Sequence, residues 1–198
     1  MIEFEPWRHY LRARMFHKLR RNERAVAEYR IALRFAPRWT RALNALGFLL
    51  AQTERWGEAA EIFTRAAVTD PENAVTFFNL GFAWEKLGED QRAIEAFREA
   101  VRLKPTVDRA WYGMGMAYAR LGQHQDAVKA LEEAANLQPM NPHAWYALGM
   151  AYHAIHNPDR VKEVIHHLFR FDPRMTRQLI RDTERSDLAH LVKDLVDL

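Results

Sequence analysis

The sequence predicts an all-α fold, a solenoid of five helical hairpins closed by a C-terminal capping helix. Three observations predict it. Prolines recur at Pro37, Pro71, Pro105, Pro139 and Pro173, each 34 residues after the last. Between them one pattern repeats. In residues 74–107, Phe77, Leu80, Gly81 and Trp84 mark a first helix, Ala93, Phe97 and Ala100 mark a second, and Pro105 closes the unit. Small residues also recur in register, with Gly47, Gly81, Gly115 and Gly149 on first helices and Ala25, Ala59, Ala93 and Ala127 on second helices. They let two antiparallel backbones approach, while Leu43, Phe77, Trp111 and Trp145 fill the space between neighbours. A period of this length marks stacked units, each of which would leave an apolar face in water if it stood alone.

The units follow in order, within what reads as a single domain over residues 1–198. In the first, 6–39, Pro6 suits the opening turn of a helix, where a missing N–H costs nothing. His9, Arg12 and Ala13 replace the usual large and small residues, as expected of an end unit with no predecessor to pack on. The second, 40–73, carries Leu43, Leu46, Gly47 and Leu50, then Ala59, Phe63, Ala66 and Pro71, with Thr40 as its N-cap. The third, 74–107, has Asn73 as N-cap. The fourth, 108–141, carries Trp111, Met114, Gly115 and Tyr118. Gly88 and Gly122 stand where a first helix ends in a left-handed residue. The fifth, 142–173, opens with Trp145, Leu148, Gly149 and Tyr152 and then loosens. Asn157 is expected to take the left-handed turn position, and Val161 and Leu168 replace small residues. Those larger side chains should push the second helix outward or admit another neighbour. That neighbour is the tail, 174–198, read as two capping helices, one through Met175, Leu179 and Ile180. The other is N-capped by Ser186 and carries Leu188, Leu191, Val192, Leu195 and Val196.

Composition bounds the function. Apolar residues make up 48% and charged residues 28%, which supports a packed core. The absence of cysteine excludes disulfides and thiol chemistry. No apolar run reaches the roughly 18 residues needed to span a bilayer. Glu3 and Glu5 stand where a signal peptide has bases, so a cytoplasmic protein is expected. Residues 1–41 hold eleven Lys or Arg against four acids, while the remainder holds 18 against 22. One end is basic and the rest mildly acidic. There is no Gly-rich phosphate loop and no G-x-S-x-G. Among nine histidines, His153 with His156 and His166 with His167 find no third ligand at metal spacing. No enzyme activity, cofactor or metal is expected, and Glu132-Glu133 reads as solvated charge.

Trp145, Leu148, Gly149 and Tyr152 give W-x2-L-G-x2-Y, and the A-x3-F and Pro positions follow in most units. From about Pro6 to Pro173 the chain therefore resembles the tetratricopeptide repeat (TPR) family. The resemblance implies a right-handed α-solenoid whose first helices line a concave groove for a peptide or helix. Groove positions fall far round the helix from the packing stripe, at about 100° per residue. In the first unit they are Tyr10, Arg14, His17 and Lys18. In the later units they are Arg41, Asn44, Phe48 and Gln52; Phe78, Phe82, Glu85 and Lys86, with Asn79 beside them; Arg109, Tyr112, Met116 and Arg120; and His143, Tyr146, Met150 and His153. Several are aromatic or Met, the residue types that anchor ligands. The family's chaperone-binding members clamp a C-terminal carboxylate. Asn79 and Arg109 match that set in type, but Phe48 and Gly113 do not. An apolar segment with an occasional acid, met by Arg41 or Arg109, fits better. The leading reading is a non-enzymatic adaptor or scaffold. A second is a self-associating assembly protein using its end units. A third, less favoured, has the basic end bind nucleic acid or a membrane surface.

Overall fold

The computed structural model describes residues 4–192. These form eleven α-helices and one short 3-10 helix, with no strand among the described residues. The helices are α1 (Phe4–Lys18), α2 (Asn22–Phe35), α3 (Thr40–Gln52), α4 (Trp56–Thr69), α5 (Ala74–Lys86), α6 (Asp90–Leu103), α7 (Asp108–Arg120), α8 (His124–Leu137), α9 (Pro142–Ala154), α10 (Pro158–Phe169) and α11 (Pro173–Asp182). Consecutive pairs up to α10 are antiparallel hairpins. The chain divides into two compact units, Met1–Lys104 and Pro105–Leu198.

Local chemistry sets the boundaries. The Asn73 side chain accepts the Thr76 N–H at 3.2 Å and so caps α5. Asn141 does the same for His143, at 3.1 Å, ahead of Pro142 in the first turn of α9. Thr40 is not a cap: the N-cap of α3 is Trp39, with no side-chain bond, and Thr40 is already helical. The second residue past each first helix is left-handed throughout. It is Gly88 (φ +75°) and Gly122 (φ +72°), but also Arg20, Glu54 and His156, all near +57°. The fifth turn therefore uses His156, not Asn157, which instead caps α10 by accepting the Arg160 N–H at 3.2 Å.

In the first unit three hairpins stack, α2 on α3 and α4 on α5. Leu43, Leu46, Leu50, Tyr29 and Phe63 are fully buried in one core. Tyr10 belongs to that core and not to an open face. Its ring lies 4.7 Å from Trp39 and 5.7 Å from Tyr29. Burial, helped by Tyr10, pushes the Tyr29 hydroxyl up to about 12 against an opposing Arg14. The polar substitution at His9 is buried too. Its Nδ1 lies 2.6 Å from the equally buried Glu28, whose other oxygen receives Arg12 at 2.9 Å. The end unit thus keeps its polar residues by pairing them.

In the second unit α7 pairs with α8 and α9 with α10, α8 packs on α9, and α11 packs on both α9 and α10. The position-four tryptophans tie back to the connector, with Trp111 and Trp145 donating indole N–H groups to the carbonyls of Pro105 and Pro139 at 2.8 and 2.9 Å. Pro173 breaks the pattern of the earlier prolines. Asp172 caps, and Pro173 opens α11 instead of preceding a connector. Glu132 is not solvated charge. It accepts the Tyr152 hydroxyl and meets Arg160 at 3.1 Å, joining two hairpins. Ser186 opens a 3-10 helix, Ser186–Val192, in place of an α-helix, and Leu195 and Val196 lie outside the described residues.

The small-residue register explains how close these crossings are. A Cβ added to Gly81 would lie 2.6 Å from Phe97 of its own hairpin partner. The same atom at Gly149 would meet Leu179 of α11, at 2.7 Å, and not a residue of α10. The bulk of Val161 and Leu168, both buried, has opened the fifth hairpin to the tail.

Candidate functional site

The first unit places Arg41, Asn44 and Phe48 on α3 and Phe78, Asn79 and Phe82 on α5. Packing takes Leu43, Leu46, Gly47 and Leu50 inward, so residues at the next helical angle face away from the core. Arg41 is exposed. Phe48 is 51% exposed and Phe82 37%, high values for phenylalanine. Asn44, Phe78 and Asn79 are half-buried. Phe78 lies over Phe97 at 6.1 Å and under Phe82 at 6.5 Å, so Phe82 stands on a buried aromatic base. Asn44 accepts a bond from the buried Thr76 hydroxyl at 3.0 Å, which ties α3 to α5 and fixes the amide.

Trp56, which sequence reasoning missed, completes this face beside the groove-position Lys86. Trp56, the first residue of α4, meets the edge of Phe82 at 5.7 Å with the rings at 82°. Lys86 places its ammonium 5.2 Å from the Phe82 ring, a cation–π contact one helical turn on. Trp56 lies outside the first-helix positions, and only its start-of-helix aromatic character could have signalled it. His17 and Gln52, from groove positions of α1 and α3, are joined at 2.9 Å. The face thus carries exposed Phe48 on α3 and, on α5, exposed Phe82 with Trp56 at its edge and Lys86 beside its ring.

The second unit treats the equivalent positions differently. Arg109 is exposed, while Tyr112, Met116, Tyr146 and Met150 are half-buried against the core of that unit. Tyr146 is engaged by the tail, donating its hydroxyl to Asp182 of α11 at 2.7 Å. Burial first, then that bond, raises the Tyr146 pKa, and the same bond, helped by Arg181, holds the Asp182 carboxyl below the usual range.

His167 packs on Trp145 at 4.0 Å with its Nε2 3.1 Å from the Pro139 carbonyl. His153 and His156 border a surface hollow of about 320 Å³ with Thr183 and Arg185. Among the described residues no three His, Asp or Glu side chains converge as a metal site. No helix among them is long and apolar enough to cross a membrane.

Family models described as tetratricopeptide repeat match residues 10–74 and 74–107, and one described as TPR repeat matches residues 115–155. Among solved structures, the MamA protein is 21% identical, with 93% of this chain and 96% of that chain covered and a TM-score of 0.78. YrrB, described as a TPR protein with an unusual peptide-binding site, is 23% identical over 89% of this chain and 90% of its own, with a TM-score of 0.77. PilF of Pseudomonas aeruginosa is 17% identical over 97% and 94%, with a TM-score of 0.68. Likeness at these identities speaks for the fold. No curated protein sequence matches this chain.

Proposed function

The chain belongs to the tetratricopeptide repeat family, and from that premise we propose that it is a non-enzymatic adaptor whose first unit holds a peptide or helix of a partner protein on the α3–α5 face. The supporting observation is the exposure of Phe48 and Phe82 on first helices, Phe82 with Trp56 against it. A surface helix needs one apolar face, and here a second one is built from large rings. Rings of this kind anchor a ligand because they bury much area at small cost in side-chain entropy. Phe82 is held by Phe78, Trp56 and Lys86, so little order has to be created on binding. Asn44 is fixed by Thr76 and offers its amide N–H to a backbone carbonyl of the ligand. Arg41 and Lys86 favour a segment carrying acids near its apolar anchors. YrrB, of similar fold, is named for a peptide-binding site, which supports this class of ligand for the present chain.

In the second unit, taken by itself, Arg109, Tyr112, Met116, Tyr146 and Met150 are the corresponding candidates for ligand contact. The test is capture from the source lysate by the wild type and by a Phe48→Ala, Phe82→Ala variant. Helicity should be equal in the two. A protein retained by the wild type and lost from the variant supports the reading, and equal retention overturns it.

A further inference from the structure

The face of α1 opposite its buried side is apolar. Phe4, Trp7, Leu11 and Met15 lie along it, with Leu19 just beyond the helix end, spaced three or four residues apart. Phe4 is 73% exposed, Leu11 56% and Met15 51%. At about 100° per residue this stripe lies half a turn round from Pro6, His9 and Ala13, which are buried. It is separate from the α3–α5 face.

The repeat register shows what such a stripe accepts. Met15 stands where α3 has Leu49 and α5 has Ala83, and Arg12 stands where they have Leu46 and Leu80. Those four residues are buried, in helices on which α2 and α4 pack. At Met15 the α1 stripe therefore has the register of a surface that takes a helix; its Trp7 end lies against Trp39 at 4.6 Å, while Leu11 and Met15 stay exposed. Charge restricts the occupant. Arg8 and Arg12 flank one edge and are neutralised within the chain by Glu5 and Glu28, at 2.8 and 2.9 Å. Arg14 and Lys18 flank the other edge, and neither forms a salt bridge with a described residue. A second copy of α1 would bring like charges together.

We propose that the outward face of α1 docks an amphipathic helix of a partner protein, with apolar residues seated on Leu11 and Met15 and carboxylates along the Arg14–Lys18 edge. The partner helix occupies the place that α2 holds on α3. The apolar contact supplies affinity, and the one-sided charge fixes the partner's orientation.

The probe is a labelled peptide of about 18 residues, long enough to match α1, with a leucine stripe flanked by glutamates. A matched peptide has lysine for every glutamate. Fluorescence anisotropy should show the glutamate peptide binding about tenfold or more tightly than its lysine counterpart. Leu11→Ser with Met15→Ser, both at exposed positions, should lose that binding while circular dichroism stays unchanged. Arg14→Glu with Lys18→Glu should reverse the preference. Phe48→Ala with Phe82→Ala should bind as the wild type does, which separates this surface from the α3–α5 face. The proposal is overturned by equal or absent binding of the two peptides, or by undiminished binding to the Leu11/Met15 variant. Two other results also overturn it. One is sedimentation of the protein with phosphatidylglycerol vesicles through the same residues, without peptide binding. The other is a dimer in light scattering that those substitutions dissolve.

Discussion

The two units put the same helical positions to different uses. In the first, Phe48 and Phe82 project from α3 and α5 onto open surface, Phe82 on a base of Phe78 and Trp56. In the second, the corresponding Met116 and Met150 are half-buried, and Tyr146 is bonded to Asp182 of the tail. The repeat pattern is alike in both. What differs is the segment that follows. After α6 the chain enters another regular hairpin, whereas after α10 it turns into α11, which reaches back onto α9. A face of the first helices can thus stay open or become the seat of the chain's own end.

The comparison can be broken most directly at the residues that face the small-residue register. Phe97→Ala removes a fully buried ring from the first unit and should cost about 3–5 kcal/mol in denaturant unfolding. Leu179→Ala should instead release α11. Hydrogen exchange should show α11 losing protection while α7 and α8 keep theirs. Equal loss of protection in all three would mean that the tail is as integral to its unit as Phe97 is to the other.

A second expectation concerns pH. Tyr29 has its pKa raised from 10 to about 12 in the folded chain. Its contribution is complete below pH 10 and is lost as pH rises through about 12. A shift of this size corresponds to about 2–3 kcal/mol. Thermal melts of the wild type should fall across that range more than those of Tyr29→Phe, and parallel curves would contradict the assignment.

Binding is the next contrast. Phe82→Ala should weaken a captured ligand by about 2 kcal/mol, or roughly thirtyfold. Tyr146→Ala should do much less while α11 is docked. Titration of the purified partner against both variants measures the difference, and a larger effect at Tyr146 would transfer the principal site to the second unit.

Smaller effects come from the turns. Glu54 and His156 hold a left-handed backbone that Gly88 and Gly122 adopt without steric cost. Glu54→Gly and His156→Gly should each raise the midpoint of unfolding by up to about 1 kcal/mol equivalent, after allowance for the added freedom of glycine in the unfolded chain. The smallest effect is at Asp182. Its pKa is lowered by the Tyr146 bond, so its contribution is present above the ordinary carboxylate pKa and is lost as pH falls through the lowered value. Proteolysis of the tail should therefore quicken at acid pH in the wild type and be less pH-dependent in Asp182→Asn.

Much of the molecule was legible from particular residues. The five-fold recurrence of proline gave the hairpins, Asn73 gave a cap, and Gly88 and Gly122 gave two turns. The errors also have physical reasons. Thr40 resembled a cap because its residue type is right, but the helix already includes it. Asn157 resembled the turn residue, yet its amide is used one position later as a cap while His156 carries the positive φ. Tyr10 fell at a groove angle, but the bulky Trp39 closes that side of the first hairpin. Glu132 seemed solvated because Tyr152 and Arg160, from the next hairpin, cannot be read from its own helix.

The sequence by itself determined the period, the helix pairs and the close crossings at glycine, because these depend on local spacing and on the size of single side chains. Tertiary structure alone decided which first-helix faces stay open. That outcome depends on side chains arriving from elsewhere in the chain, Trp56 to support Phe82 and Leu179 and Asp182 to cover Gly149 and Tyr146. No periodicity within a repeat encodes an arrival from outside it.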